Sequence, residues 1–137
     1  MATNVTAAAP GSETAPGRSG MVVALLADDL IWSTRLVAQL REAGAEPVAV
    51  RSAAAFGPAL AGADRAIVDL TARAYDGIEQ VAVAHAAGRR VIAVGQHDDI
   101  QLRRRALAAG AERVHPYRRL FETGTSVLAD WLGEDRA

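Results

Sequence analysis

From residue 21 onward, short β-prone runs alternate with segments whose apolar residues recur at helical spacing. The run MVVALLA at 21–27 is continuous and ends in two acids, which predicts a strand covered on both faces. Leu30, Leu36, Val37 and Leu40 then line one side of a helix that stops at Gly44, with Arg35 and Arg41 turned outward. PVAV (47–50) predicts a second strand, and Ala53 to Ala61 a short helix that Gly57 and Pro58 interrupt or weaken. AIVDL (66–70) is a third strand. Ile78, Val81 and His85 share one face of a helix from Asp76 to Ala87, which Gly88 ends. VIAVG (91–95) is a fourth strand, and Asp98 or Asp99 caps a helix that reaches Ala109 and closes at Gly110. A fifth strand over Arg113 to His115 and a helix over Leu120 to Leu132 complete the series. Five strands alternating with five helices predict an α/β fold, a parallel doubly wound sheet between two helical layers.

Residues 1–20 are small, polar, proline or glycine and show no apolar periodicity, so they read as a disordered leader or linker ahead of a domain over 21–134. The chain has 137 residues, half of them hydrophobic, enough for one such domain. Fifteen basic against sixteen acidic side chains give a formal charge of -1, which argues against general nucleic-acid or anionic-membrane binding. Without cysteine there are no disulfides, thiolate metal sites or catalytic thiol, and the three histidines form no metal-binding pair. No apolar run approaches the roughly 18 to 20 residues that span a membrane, so a cytoplasmic location is the expectation. All fifteen basic residues are arginine and none is lysine.

In an open parallel sheet, ligands bind beyond the carboxyl ends of the strands. Those ends carry Asp28 and Asp29, then Asp69, then Gly95 and Gln96, then His115 before Pro116. Each acid alone is an ordinary cap: Asp28 or Asp29 for the following helix, Asp69 for a turn. Gathered on one rim, three carboxylates repel one another unless a cation is bound, and hard oxygen ligands suit Mg²⁺. His85 and His97 read as a half-buried helix residue and an exposed loop residue. Arg103, Arg104 and Arg105, with Arg113, Arg118 and Arg119, form a basic area beside the fifth strand. Consecutive helical residues splay over about 200°, so the area suits protein docking better than nucleic acid.

LLADDL (25–30), DLTARAYDG (69–77) and RALAAGAERV (105–114) resemble the receiver domain of two-component response regulators, a flavodoxin-like fold, over roughly residues 21–132. The second segment keeps the first Asp, the Leu, the closing Asp-Gly and the length of that family's D-L-x-M-P-x-x-D-G pattern. The resemblance implies that Asp69 is a phosphoacceptor, Asp29 a direct Mg²⁺ ligand, Asp28 a ligand through water, and the Thr71 carbonyl a further ligand. It also implies a cytoplasmic, non-enzymatic signalling module whose partner is a histidine kinase or an output protein, with a homodimer through helix four, strand five and helix five as one mode of assembly.

The pattern also departs from the family at four places. Gly95 stands where the family has a Ser or Thr that binds the phosphoryl group, and His115 stands where it has a lysine. Ala72-Arg73 replace Met-Pro, and the aromatic expected on strand five is not obvious. Gly95 and His115 are thus degenerate switch positions, with His115 a shorter, pH-sensitive cation whose protonation nearby carboxylates would raise. Two other readings compete with a degenerate receiver. One is a small nucleotide- or cofactor-binding domain, although A-D-D-L is no G-x-G-x-x-G turn and no P-loop occurs. The other is a phosphorylation-independent scaffold or oligomerisation module.

Overall fold

The structure, a computed structural model, describes residues 20–96 and 98–134. The leader expected at 1–20 and His97 therefore lie, apart from Gly20, outside the described residues. Ten elements follow in order: β1 (Val22–Leu26), α1 (Leu30–Glu42), β2 (Glu46–Val50), α2 (Ala53–Ala61), β3 (Arg65–Asp69), α3 (Gly77–Ala86), β4 (Arg90–Gly95), α4 (Ile100–Ala109), β5 (Val114–Pro116) and α5 (Tyr117–Gly133). The strands form one parallel sheet in the order β2-β1-β3-β4-β5. This is the α/β, doubly wound arrangement the alternation predicts, of the flavodoxin-like type that the receiver resemblance implies.

Strand alternation sends side chains to two cores. Ala24, Leu26, Val68, Val91 and Val114 pack with Phe56, Leu60, Val81 and Ala106 on the α2, α3 and α4 side. Val23, Leu25, Ile67, Ile92 and Val94 pack with Leu36, Leu40, Leu120, Leu128 and Trp131 under α1 and α5. The central strands are covered on both faces, which is why they read as unbroken apolar runs. Side chains with the parity of Ile67, Asp69 among them, leave the sheet on the α1 and α5 side.

Four expectations need correction. Leu30 is not on the buried side of α1; it opens the helix at the rim and is 62% exposed, while Ser33, Leu36, Gln39 and Leu40 face inward. α2 is not interrupted: it carries Pro58 internally, capped by Ser52, whose Oγ accepts from Ala55 N at 3.2 Å. His85 does not share the buried face of α3, which is made by Gly77, Gln80, Val81 and Ala84. Its exposed imidazole lies over Gly110, where a Cβ would come within 2.4 Å of its Cγ. Gly110 also has φ +123°, so both its backbone and its surroundings call for glycine.

The last helix begins three residues before the expected Leu120 and is broken at Thr123 (φ -137°, ψ 28°). The break leaves carbonyls that α1 satisfies: Gln39 Nε2 donates to Leu120 O at 2.8 Å and Arg35 Nη2 to Phe121 O at 2.8 Å. Gly124 admits the Gln39 amide, which a Cβ there would meet at 2.4 Å. The C-terminal end of α5 is held by arginines, as its unpaired carbonyls favour. Buried Arg65 donates to Trp131 O and to Glu134 O, and Arg90 pairs with Glu112 at 2.6 Å. Burial pushes the Glu112 carboxyl up, but hydrogen bonds from Arg90 and the Trp131 indole outweigh it and keep the group below its ordinary range.

Candidate functional site

The carboxyl ends of β1, β3, β4 and β5 meet at one rim. Register fixes its order, with Asp69 opposite Val94, Val94 opposite His115, and Gly95 opposite Pro116. The loop from β3 to α3 closes over this rim and is pinned at both ends. Tyr75, buried, directs its hydroxyl to Leu26 O at 3.0 Å and Asp69 O at 2.8 Å. Asp76 then caps α3 through Glu79 N at 3.2 Å. Gly77 follows because a Cβ there would lie 2.8 Å from Leu70 Cα, too close to main chain that cannot move aside. The closing Asp-Gly of the DLTARAYDG segment therefore has a local cause: one residue starts the helix, and the other lets it sit against the end of β3.

Each acid at this rim is already bonded to the protein. The half-buried Asp28 accepts from Arg73 N and Ala74 N, both at 3.1 Å through Oδ2, so it holds the β3–α3 loop. Asp29 is the N-cap of α1, its Oδ1 accepting from Trp32 N at 3.0 Å. Asp69 is only 2% exposed, and its Oδ1 accepts from Thr71 N at 3.0 Å and Thr71 Oγ1 at 2.9 Å. The Tyr117 hydroxyl donates to the same Oδ1 and also contacts Thr71 Oγ1. Burial, and then the hydrogen bond to Asp69, push the Tyr117 phenol well above its ordinary range, so at neutral pH it is a donor. Its ring stacks on Trp32, centroids 4.7 Å apart at 24°.

A receiver-type site implies a divalent cation, and the donor set allows its fit to be tested. Among the described residues no group of three His, Cys, Asp or Glu side chains is placed to hold a metal ion. Asp28 and Asp69 both lie near Tyr75, and Asp29 and Asp69 both lie near Tyr117, without the three acids forming such a group. Mg²⁺ prefers near-ideal octahedral oxygen geometry. In this arrangement the three acids do not fit it, because they form no group of three ligating side chains.

The two other positions named from the sequence behave differently from one another. Gly95 ends β4 with space beside it: a Cβ would meet only Leu70, at 3.5 Å and 3.8 Å, so no crowding forbids a hydroxyl-bearing residue. His115 is 7% exposed and its Nε2 has no hydrogen-bond partner. Burial, helped by Arg119, Arg113 and Arg103, pushes its imidazole down to about 4. This corrects the expectation that carboxylates would raise its protonation. Arginines surround it instead, and at neutral pH it is an uncharged, mostly buried ring.

No family model and no curated protein matches the chain. Solved structures do. The chain is similar to the beryllofluoride-activated DrrB receiver domain, with TM-score 0.74 and 14% identity over 84% of this chain and 99% of that one. It is also similar to the signal receiver domain of a DNA-binding response regulator (merR) from Colwellia psychrerythraea, with TM-score 0.72 and 18% identity over 83% and 99%. The receiver domain of the response regulator NarL from Mycobacterium tuberculosis gives TM-score 0.72 and 19% identity over 85% and 99%. The fold is that of a receiver domain.

Within the receiver fold, Tyr75, Tyr117 and Trp32 are the site residues that the sequence reading passed over. A signal for two of them exists: the chain has only two tyrosines, one inside DLTARAYDG and one directly after Pro116, both beside strand ends. Tyr117 is also an aromatic adjoining strand five, one position beyond the strand where an aromatic was sought. Among the described residues, no helix is long and apolar enough to cross a membrane.

Proposed function

We propose that this chain is a receiver-type signal-transduction module that works by binding a protein partner, and that phosphorylation of Asp69 does not switch it. The observation that carries this reading is the state of the Asp69 carboxylate, one oxygen of which already accepts three protein donors. Attack on a phosphoryl donor builds charge on the transferring oxygens, and positioned cations and donors must meet it. The two positions that would do so in the family this chain resembles are Gly95, without a hydroxyl, and His115, without a charge at neutral pH. Each missing charge-assisted bond forgoes about 1.5 to 3 kcal/mol.

The partner surface we favour is the α4–β5–α5 side. Ile100, Arg103, Arg104 and Leu107 are exposed at i, i+3, i+4 and i+7 along α4, with Arg113, Arg118 and Arg119 exposed nearby. A helix face with two arginines between apolar Ile100 and Leu107 suits an acidic protein surface. Pairing this face with a second copy would bring like charges together, which makes an acidic partner the better occupant than a homodimer.

The test is allelic replacement in the source cell, read by transcript profile. Asp69→Asn is expected to leave the profile as in the parent, whereas Arg103→Glu with Arg104→Glu reproduces a deletion. An Asp69→Asn strain that behaves like the deletion would show that Asp69 is a working switch.

A further inference from the structure

Among the described residues the most exposed large apolar side chain is Ile31 of α1, at 85%, and Phe121 of α5 is 58% exposed. Both line a groove of about 570 Å³ between α1 and α5, whose walls also include Trp32, Thr34, Arg35 and Ala38. Apolar side chains gathered at the surface in this way mark an interaction face.

The charges on this face follow a symmetric pattern. Arg35 and Glu42 are both exposed on α1, two turns and so about 10 Å apart along its axis, with exposed Ala38 between them. Spacings of three and four residues put all three on one side of the helix. Each charged side chain is oriented by neutral groups of α5. Arg35 donates to Phe121 O at 2.8 Å, with its guanidinium 4.0 Å from the centroid of the Phe121 ring. Glu42 Oε1 accepts from Thr125 Oγ1 at 2.8 Å. Among the described residues neither Arg35 nor Glu42 makes an ion pair. A cation and an anion therefore stand on either side of a small residue, held in place but not neutralised.

We infer that this face binds a second copy of the chain, the two α1 helices packing antiparallel across a two-fold axis near Ala38. A two-fold contact needs a self-complementary surface, on which one residue meets a second and the second meets the first. Reversing α1 about Ala38 provides that: Arg35 of each copy comes opposite Glu42 of the other, both pairs form at once, and the small Ala38 lets the helices approach. Ile31 and Phe121 supply apolar area for the contact to bury. Because Arg35 and Glu42 are already oriented by α5, they lose little freedom on pairing. The α4–β5–α5 side, whose exposed arginines carry one sign of charge, is not used in this contact and stays open to an acidic partner.

The experiment is sedimentation velocity on the full chain over a range of concentrations, with circular dichroism to check that each variant is folded. The parent is expected to show a concentration-dependent monomer–dimer equilibrium. Glu42→Arg and Arg35→Glu each place like charges at both positions, and each is expected to weaken dimerisation by at least about tenfold. An equimolar mixture of the two variants puts opposite charges back across the axis and is expected to dimerise again. Arg103→Glu with Arg104→Glu lies outside the contact and should dimerise as the parent does. A parent that stays monomeric overturns the inference, as does a Glu42→Arg variant that dimerises as tightly as the parent or a mixture that stays monomeric. Loss of the dimer in Arg103→Glu with Arg104→Glu would assign the contact to the other face and overturn it too. If Arg35→Glu does not fold, Ile31→Asp replaces it as the second weakening variant, and unchanged dimerisation there also overturns the inference. The readout is mass in solution, so it is independent of the cellular test of the proposed function.

Discussion

Between neutral pH and pH 4 the domain is expected to lose about 3 kcal/mol of stability through His115 alone. Its imidazole is pushed down to about 4 in the folded protein by burial and by Arg119, Arg113 and Arg103, against about 6.5 in an unfolded chain. Below pH 6.5 the unfolded state takes up a proton that the native state refuses. Unfolding is thereby favoured, and the contribution is fully present above 6.5 and lost as pH falls toward 4. Urea unfolding at a series of pH values checks this against His115→Phe, which fills the same buried position without titrating. The stability difference between parent and variant should shift by about 3 kcal/mol in favour of the variant over this window. A difference that stays constant with pH would mean that His115 is charged or solvated in the native state.

Gly77→Ala should destabilise the domain by about 1 to 3 kcal/mol, the usual cost of forcing an extra methyl into a packed position. The methyl would meet the backbone of Leu70 at 2.8 Å, and Leu70 is bonded into the sheet through Val94 O at 2.9 Å. An alanine in an unhindered helix would instead gain up to about 1 kcal/mol over glycine, so the sign of the change is informative. Thermal unfolding measures it, and amide shifts at Asp69 and Thr71, the neighbours of Leu70, should move with it. An alanine variant as stable as the parent would show that α3 does not seat on the end of β3 as described.

The architecture was legible because it depends on periodicity. β1, β3 and β4 are buried on both faces and spell themselves as unbroken apolar runs, and Asp29 and Asp99 are among the acids read as caps of the helices they precede. α5 was less so. Its start at Tyr117-Arg118-Arg119 looks like a polar turn, and its break at Thr123 depends on Gln39 and Arg35 reaching across from another helix. At the site, the sequence located Asp28, Asp29 and Asp69, because strand ends can be counted. It could not tell what they bond to. The amides of Arg73 and Ala74 have no letter of their own, and one donor to Asp69 is the Tyr117 hydroxyl, whose relevance shows only when β3 and α5 are side by side. His115 shows the same limit in charge: its position is a matter of spacing, but its neutrality depends on burial and on arginines at 103, 113 and 119 that meet only in the folded chain.

The claim on which the functional reading turns is that the Asp69 carboxylate, one oxygen of which accepts three of the protein's own donors, is not switched by phosphorylation. The most direct measurement adds Mg²⁺ with beryllofluoride, a phosphoryl mimic, to the parent chain and follows the amides of Asp69, Gly95 and His115 by NMR. The account predicts that these resonances stay where they are. Saturable shifts at all three would contradict it and restore Asp69 as a phosphorylation switch.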